Sequence, residues 1–413
     1  MKVLLVGMSE KDNTNGVDRF VGMFMQYLER RPDIDVVLLQ LYSSKEELFT
    51  KTDVIYGSTR VRIPLPARKY DWNRVQYWAV KYYSQVADSL GESLPGFIPD
   101  IIHINYLGPI HLAIALREKY GSKIVTHLHY IPWKVSLNRD ENRFNRLYKI
   151  MHSPRPSPEV KKLYSAEGEQ EAFTYSDAIV CVTDCARDYV EYICPESRGK
   201  ITVIPNGLSR ICSPKKNYSY KDSFKLLFVG TVLKSKGLHY ILEAIRIVQA
   251  KGYNVLVMVA GYVSDINGFS LKAEFPDVPF TMLGRLPLEK LLRLYQACDA
   301  GIISSLQEQC SYAALEMMMA GLPIITTAID GLDEIFTDQV DALKVLVPFS
   351  EIYGLTVDVE QMASHINRLI ESESLRENLG RAANLSFEKK YRLETMGERI
   401  INLYNTIEHN EKA

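Results

Sequence analysis

The sequence predicts an α/β protein with two doubly wound parallel sheets, and three observations carry that prediction. Short apolar runs alternate with longer segments of helical period, the alternation starts afresh past the middle of the chain, and glycines close several of the runs. Strands buried on both faces by crossover helices read as continuous apolar runs, so this alternation points to βαβ units.

In the first half the order is "KVLLVG", "VDRFVGMFMQYLERR", "DVVLLQL", "DIIHINY", "IHLAIALREKYG", "KIVTHLHY", "EGEQEAFTYS", "AIVCVT" and "ITVIPNG". The opening run is too short for a signal-peptide core and lacks a small-residue cleavage site, so it reads as a first buried strand. A polar stretch, "ICSPKKNYSYKDSF" (211–224), reads as a linker. After it come "KLLFVG", "LHYILEAIRIVQAKG", "NVLVMVAG", "FTMLG", "LEKLLRLYQACD", "AGIISS", "YAALEMMMAG" and "LPIITT". The expected organisation is a first Rossmann-like domain over 1–212, a second over 213–386, and a closing segment over 387–413.

Composition narrows the function classes. A chain of 413 residues, 46% hydrophobic, can bury two cores. Its 49 Lys and Arg balance 50 Asp and Glu, which removes any global field for nucleic acid or membrane and leaves only local patches open. The longest later apolar stretch, "VLVMVAGYV" (255–263), is about half of a membrane span. Six cysteines without C-x2-C spacing suit reduced, packed thiols and a cytoplasmic location. Two aromatic stretches stay open: 134–164, with eight Lys or Arg against three acids, fits either a solvated helical insertion or a surface for an anionic lipid or polymer. The stretch 70–86 fits a buried helix face or an acceptor groove.

Ligands of open parallel sheets bind beyond the carboxyl ends of the strands, so chemistry is expected just after the apolar runs. "SSLQEQCSY" leads from a strand end into a helix beginning near Ser311, whose first N–H groups form an anion site. Glu308 precedes that helix and Glu316 lies within it, so two carboxylates flank a phosphate position and could accept hydrogen bonds from hydroxyls at the two ends of a nucleotide sugar. Spacing alone is a weak signal: Glu308 could equally cap the helix and Glu316 face water. "KLLFVGTVLKSKG" (225–237) adds Gly230, where backbone could approach a ligand, and Lys234 and Lys236, which could neutralise a diphosphate or simply be solvated.

Taken in order, these segments resemble the family-4 retaining glycosyltransferases, which have two facing Rossmann-like domains (the GT-B fold) with the donor cleft between them. The residues that carry the resemblance are "EQCSYAALEMMMAGLPIITT", "FVG" followed by "KSKG", "VIPNGL" (203–208), "SDAIVCVT" (176–183), "DIIHINYLGP" (100–109), "KIVTHLHYIPW" (123–133) and the terminal "FEKKYRLETMGERIINLY" (387–404), which looks like the family's closing helix, here 387–413, crossing back to the first domain. The resemblance implies that Glu308 contacts the donor sugar, that Glu316 binds the ribose hydroxyls, and that the backbone at Cys310, Ser311 and Tyr312 faces the diphosphate with Lys236. His129 aligns best with the family's histidine near the sugar, with His127 as rival. Asn15 and Gly16 fall in the first loop, which meets donor phosphates and acceptor.

Two departures stand out. Thr231 replaces the arginine usual after Gly230, with Lys234 as the substitute cation, and Gly16 stands alone where two glycines are common. The resemblance also implies transfer of a sugar, with retention, from a nucleotide-sugar substrate to a glycan, lipid-linked glycan, peptide or small-molecule acceptor. No metal or cofactor is expected: "DID" (33–35) and "DVE" (358–360) lie at a strand start and a connection. Nucleic acid is not an expected partner, and peripheral contact with the inner face of the plasma membrane stays open. The alternatives are a nucleotide-sugar epimerase, a sugar phosphorylase or a non-catalytic donor-binding subunit.

Overall fold

Val3, Leu4, Leu5 and Val6 are fully shielded from solvent, as a strand covered on both faces must be, and they lie mid-way across an eight-stranded sheet. The structure, a computed structural model, describes residues 1–7, 16–42, 49–64, 75–137, 139–150, 164–350 and 354–409. Two units emerge: Met1–Leu137 with Glu141–Gly207 and Leu393–Ala413, and Asn138–Asp140 with Leu208–Arg392. Both are Rossmann-like, the fold class expected.

The first unit runs β1 (Lys2–Gly7), α1 (Gly16–Leu28), β2 (Asp35–Tyr42), β3 (Lys51–Ile55), β4 (Ser58–Pro64), α2 (Val75–Ser93), β5 (Ile101–Ile104), α3 (Ile110–Tyr120) and β6 (Lys123–Leu128). It continues with α4 (Pro132–Ser136), α5 (Glu141–Ile150), α6 (Tyr164–Tyr175), β7 (Ala178–Cys181), α7 (Asp184–Ile193) and β8 (Ile201–Val203). Strand order is β3-β4-β2-β1-β5-β6-β7-β8, parallel except for the β3–β4 edge pair. The order reverses direction between β1 and β5, a topological switch point.

The second unit holds β9 (Phe224–Val229), α8 (Leu238–Ala250), β10 (Val255–Ala260), α9 (Asp265–Glu274), β11 (Phe280–Gly284), α10 (Leu288–Ala297), β12 (Ala300–Ile303), α11 (Tyr312–Met319) and β13 (Ile324–Thr327). Then come α12 (Asp330–Ile335), β14 (Leu343–Val345), a two-residue hairpin β15 (Phe349–Ser350) with β16 (Gly354–Leu355), α13 (Val359–Glu371) and α14 (Glu373–Lys390). Its order is β11-β10-β9-β12-β13-β14, all parallel, with the switch point between β9 and β12. Helix α13 is capped by Asp358 at the Gln361 amide (2.9 Å) and buries Met362, Ala363, Ile366 and Leu369 against the core that α8 also covers. A side-chain cap of this kind contributes about 1 kcal/mol.

Several sequence expectations change. The stretch 211–224 connects β8 to β9 without regular structure, as a linker does, yet Lys215 and Tyr218 are buried in the second unit. The Lys215 ammonium donates to the Gln296 and Cys298 carbonyls, and the Tyr218 hydroxyl to the Gly321 carbonyl, so its polar groups are satisfied by backbone rather than by water. The terminal run 387–404 is not one helix either. Helix α14 stops at Lys390, where the Tyr391 carbonyl accepts from the Leu208 amide, and α15 (Leu393–His409) begins after this break and belongs to the first unit.

Of the aromatic stretch 70–86, residues 70–74 lie outside the described residues, while Tyr83 and Val86 of α2 lie in the core, as a buried helix face requires. Of 134–164, residues 151–163 lie outside them. Helix α5 buries Phe144 and Leu147, with Phe144 stacked on Trp133 at 4.3 Å. Among the described residues no helix is long and apolar enough to cross a membrane.

Candidate functional site

The second unit gathers most of the expected site residues at the carboxyl ends of β9 and β12, the two strands of its switch point. Beyond β9 the chain passes Gly230 and Thr231, then a single 3-10 turn, Lys234–Lys236, before α8. Gly261, after β10, has φ +148°, and a Cβ there would lie 1.9 Å from the Gly230 carbonyl oxygen, so the two strand ends approach at a distance only glycine allows. Gly237 repeats the device: φ is +68°, and a Cβ would stand 2.2 Å from the Ser304 carbonyl.

That close approach locks the loop after β9 onto the loop after β12. The Leu306 amide donates to the Ser235 carbonyl (2.8 Å) and the Ser304 hydroxyl to the Lys236 carbonyl (2.8 Å). With the backbones fixed, the Lys236 ammonium forms an ion pair with the Glu308 carboxylate, which also accepts from the Ser305 hydroxyl at 3.4 Å. Both side chains keep part of their surface in solvent, 29% for Lys236 and 18% for Glu308. The Glu308 carbonyl in turn accepts from the Gly331 amide at 3.1 Å.

Glu308 does not cap the following helix. Ser311 does, its hydroxyl accepting from the Ala314 amide at 3.3 Å, so α11 starts at Tyr312. The cap lies at the positive end of the helix dipole. Cys310, Ser311 and Tyr312 are all largely buried, which fixes the backbone of that turn.

Glu316 is not a solvated helix residue. It is 1% exposed, and its carboxylate accepts from the buried Tyr295 hydroxyl at 2.6 Å. A hydrogen bond to a charged acceptor is worth about 1.5–3 kcal/mol, and a buried carboxylate demands such a partner. Lys234, by contrast, is exposed.

One residue near this site was not legible in the sequence. Arg139, a member of the second unit despite its place in the first half of the chain, pairs with the Asp330 carboxylate and donates to the Leu306 carbonyl at 3.5 Å. Arg139 and Asp330 both take positive φ, 60° and 44°, a conformation that costs an ordinary residue about 1–3 kcal/mol and clusters at functional sites. Positive φ at a non-glycine residue leaves no sequence signature, and only the fold shows it.

The first unit holds the remaining expected residues, Gly16 and His129. Gly16 opens α1 and is exposed, with nothing within 4 Å of a built Cβ; Asn15 lies outside the described residues. His129 follows β6 and sits at the same sheet end, its ring 4.8 Å from Phe20 of α1. Behind it, His127 is fully buried and shares a hydrogen bond of 3.2 Å with His103 of β5, whose other nitrogen meets the Tyr404 hydroxyl of α15. Burial holds His103 neutral, down to about 3 from its ordinary 6.5. Burial and then the neighbouring histidines push His127 well down. His129 is lowered by burial and by His103, yet it is the member of the row that retains some exposure.

One acid of each pair considered for a metal is engaged elsewhere. Asp33 is bound bidentately by Arg31, and Asp358 caps α13.

Comparison with known proteins bears on the family and the fold. A family model described as glycosyl transferases group 1 matches residues 210–385, and one described as glycosyltransferase family 4 matches residues 14–210. The capsular polysaccharide biosynthesis glycosyltransferase CapM of Staphylococcus aureus is 25% identical over 191 residues, 45% of this chain and 47% of that one. The chain thus aligns with about half the length of that relative. Among solved structures, sucrose-phosphate synthase from Thermosynechococcus elongatus superposes with a TM-score of 0.75 at 16% identity, covering 98% of each chain. Anabaena HepE in complex with UDP-glucose superposes with a TM-score of 0.64 at 13% identity, covering 98% of this chain and 99% of that one. At such identities the structural likeness speaks for the fold.

Proposed function

Because this chain belongs to the family-4, group 1 glycosyltransferases, we propose that it transfers a sugar, with retention and without a metal, from a nucleotide-sugar donor to an acceptor hydroxyl. The observation that carries the proposal is the Lys236–Glu308 pair astride the β9/β12 switch point, next to the start of α11. A nucleotide sugar presents phosphate oxygens, which accept, beside sugar hydroxyls, which donate. A neighbouring ammonium and carboxylate match those two halves, and each satisfies the other until the ligand arrives.

The chemistry follows from where charge develops. Breaking the glycosidic bond to the diphosphate places negative charge on the leaving oxygens and positive character on the sugar ring. Lys236, the exposed Lys234 and the positive end of α11 offer positive charge to the former, and Glu308 offers negative charge to the sugar. Lys234 then takes the place of the cation missing at Thr231, as a mobile point charge rather than a planar fork. Glu316, held by Tyr295, is assigned to the ribose hydroxyls, and His129 to the sugar. The HepE complex with UDP-glucose supports UDP-hexoses as the first donors to try, and CapM, named for capsular polysaccharide biosynthesis, supports a glycan as acceptor.

The test is release of nucleoside diphosphate from UDP-, GDP- and ADP-sugars, with and without a glycan acceptor panel and in the presence of a chelator. Acceptor-dependent release insensitive to the chelator is expected. Tight donor binding with no release against any acceptor would instead mark a donor-binding subunit, and epimerised free donor would mark an epimerase.

A further inference from the structure

Hydrogen bonds around His129 determine which ring nitrogen carries its proton. The Asn105 side chain, just beyond β5, spends its amide nitrogen on the Val6 carbonyl at 3.1 Å. Its Oδ1 therefore faces His129 Nε2, also at 3.1 Å. Reversing the amide would bring Oδ1 against the Val6 oxygen, two acceptors in contact, so the orientation is set by the network. An amide oxygen only accepts, hence His129 Nε2 must carry the hydrogen, and Nδ1 is left with its lone pair outside this bond.

A second chain of bonds supports the ring from behind. Tyr404 is wholly buried, and its hydroxyl meets His103 Nδ1. His103 Nε2 in turn shares a hydrogen with His127 Nδ1, while His127 Nε2 is buried without a partner, so a hydrogen is left over in either direction and this row does not set its own polarity. His127 then lies flat against His129, ring centroids 4.0 Å apart and planes within 18°. Phe20 closes the other side, 4.4 Å from His127 and 4.8 Å from His129.

We propose that Asn105 is a positioning residue that holds His129 in the Nε2–H tautomer, so that the histidine presents Nδ1 as a hydrogen-bond acceptor to a hydroxyl of the donor sugar. The inference rests on the assignment of His129 to the sugar made above. It adds a direction to that contact: His129 accepts and does not act as a proton donor. The same burial that keeps the histidine row uncharged favours this form over the imidazolium. Nothing in "DIIHINY" singles out Asn105 in sequence, because its role depends on β1 and β6 lying on either side of β5.

The test separates the tautomer from the reaction. Long-range nitrogen–proton NMR of histidine-labelled protein without donor, at about pH 7, reads the tautomer of His129, assigned with a His129→Gln variant. The expected result is the Nε2–H pattern in the wild type and a mixture of tautomers in Asn105→Ala. In donor kinetics, Asn105→Ala should raise KM by about tenfold, the loss of one oriented hydrogen bond, with a smaller change in kcat. Asn105→Gln, which keeps an amide oxygen for Nε2–H and an amide nitrogen for the Val6 carbonyl, should preserve the tautomer, and it serves where the alanine variant does not fold. An Nδ1–H pattern in the wild type, or a tautomer indifferent to Asn105→Ala, overturns the proposal. A fixed tautomer with an unchanged KM in Asn105→Ala overturns the sugar contact, while turnover that still depends on Glu308 would show the transferase reading to be intact.

Discussion

The two units present opposite solutions at the same topological position. In the second, the ends of the switch-point strands carry full charges, Lys236 and Glu308, partly in solvent and paired with each other. In the first, the corresponding sheet end carries neutral groups, Asn105 and three histidines packed among Phe20, Phe24 and Tyr404. On the proposed function the contrast teaches what each would meet: full charges for the diphosphate and for the positive character that develops on the sugar ring, and neutral groups of fixed direction for sugar hydroxyls.

Glu308→Gln should break the charged half most severely. It removes a full charge at the sugar while keeping size and one hydrogen-bonding oxygen, so turnover is expected to fall by about 10²–10³-fold. Stability should move by less than about 1 kcal/mol, because a partly exposed pair contributes little to folding. Steady-state kinetics beside a denaturant melt reads both. Equal losses in activity and stability would mean that Glu308 is a structural residue.

Acid should instead expose the neutral half. His103 is held at about 3 in the folded protein against an ordinary 6.5, so below 6.5 the unfolded chain binds a proton that the folded one refuses. The stability from this group is complete above 6.5 and is lost as pH falls from 6.5 toward 3, at about 1.4 kcal/mol per pH unit. His127 shifts in the same direction and adds to the slope. Denaturant melts at falling pH should show a slope that becomes shallower in His103→Leu, even though that variant is less stable throughout. An unchanged slope would contradict a buried neutral row.

Much of this was legible in the sequence because strand-like runs and the glycines behind them are local signals. Gly230, Gly261 and Gly284 close β9, β10 and β11, and the helix starting beyond Ser311 is announced by its cap. Glu308 and Glu316 were visible as a pair, but their surroundings were not, since Lys236 and Tyr295 reach them from 72 and 21 residues away. The stretch 211–224 is the irregular connection its composition suggests, but the backbone carbonyls that bind Lys215 are placed only by the fold. Arg139, Asn105 and Tyr404 left no local trace, because each acts through a partner brought near by topology. A tyrosine on the last helix gives no hint that its hydroxyl will meet a histidine 301 residues earlier.

The central claim is that the Lys236 ammonium and the start of α11 receive the donor's diphosphate. Calorimetric titration of UDP, GDP and ADP into the wild type and into Lys236→Ala tests it most directly. Whichever nucleotide binds the wild type should lose at least about tenfold in affinity in the variant, as expected for removal of a charge-assisted hydrogen bond, with the melting temperature essentially unchanged. Equal affinity for that nucleotide in both proteins would contradict the account.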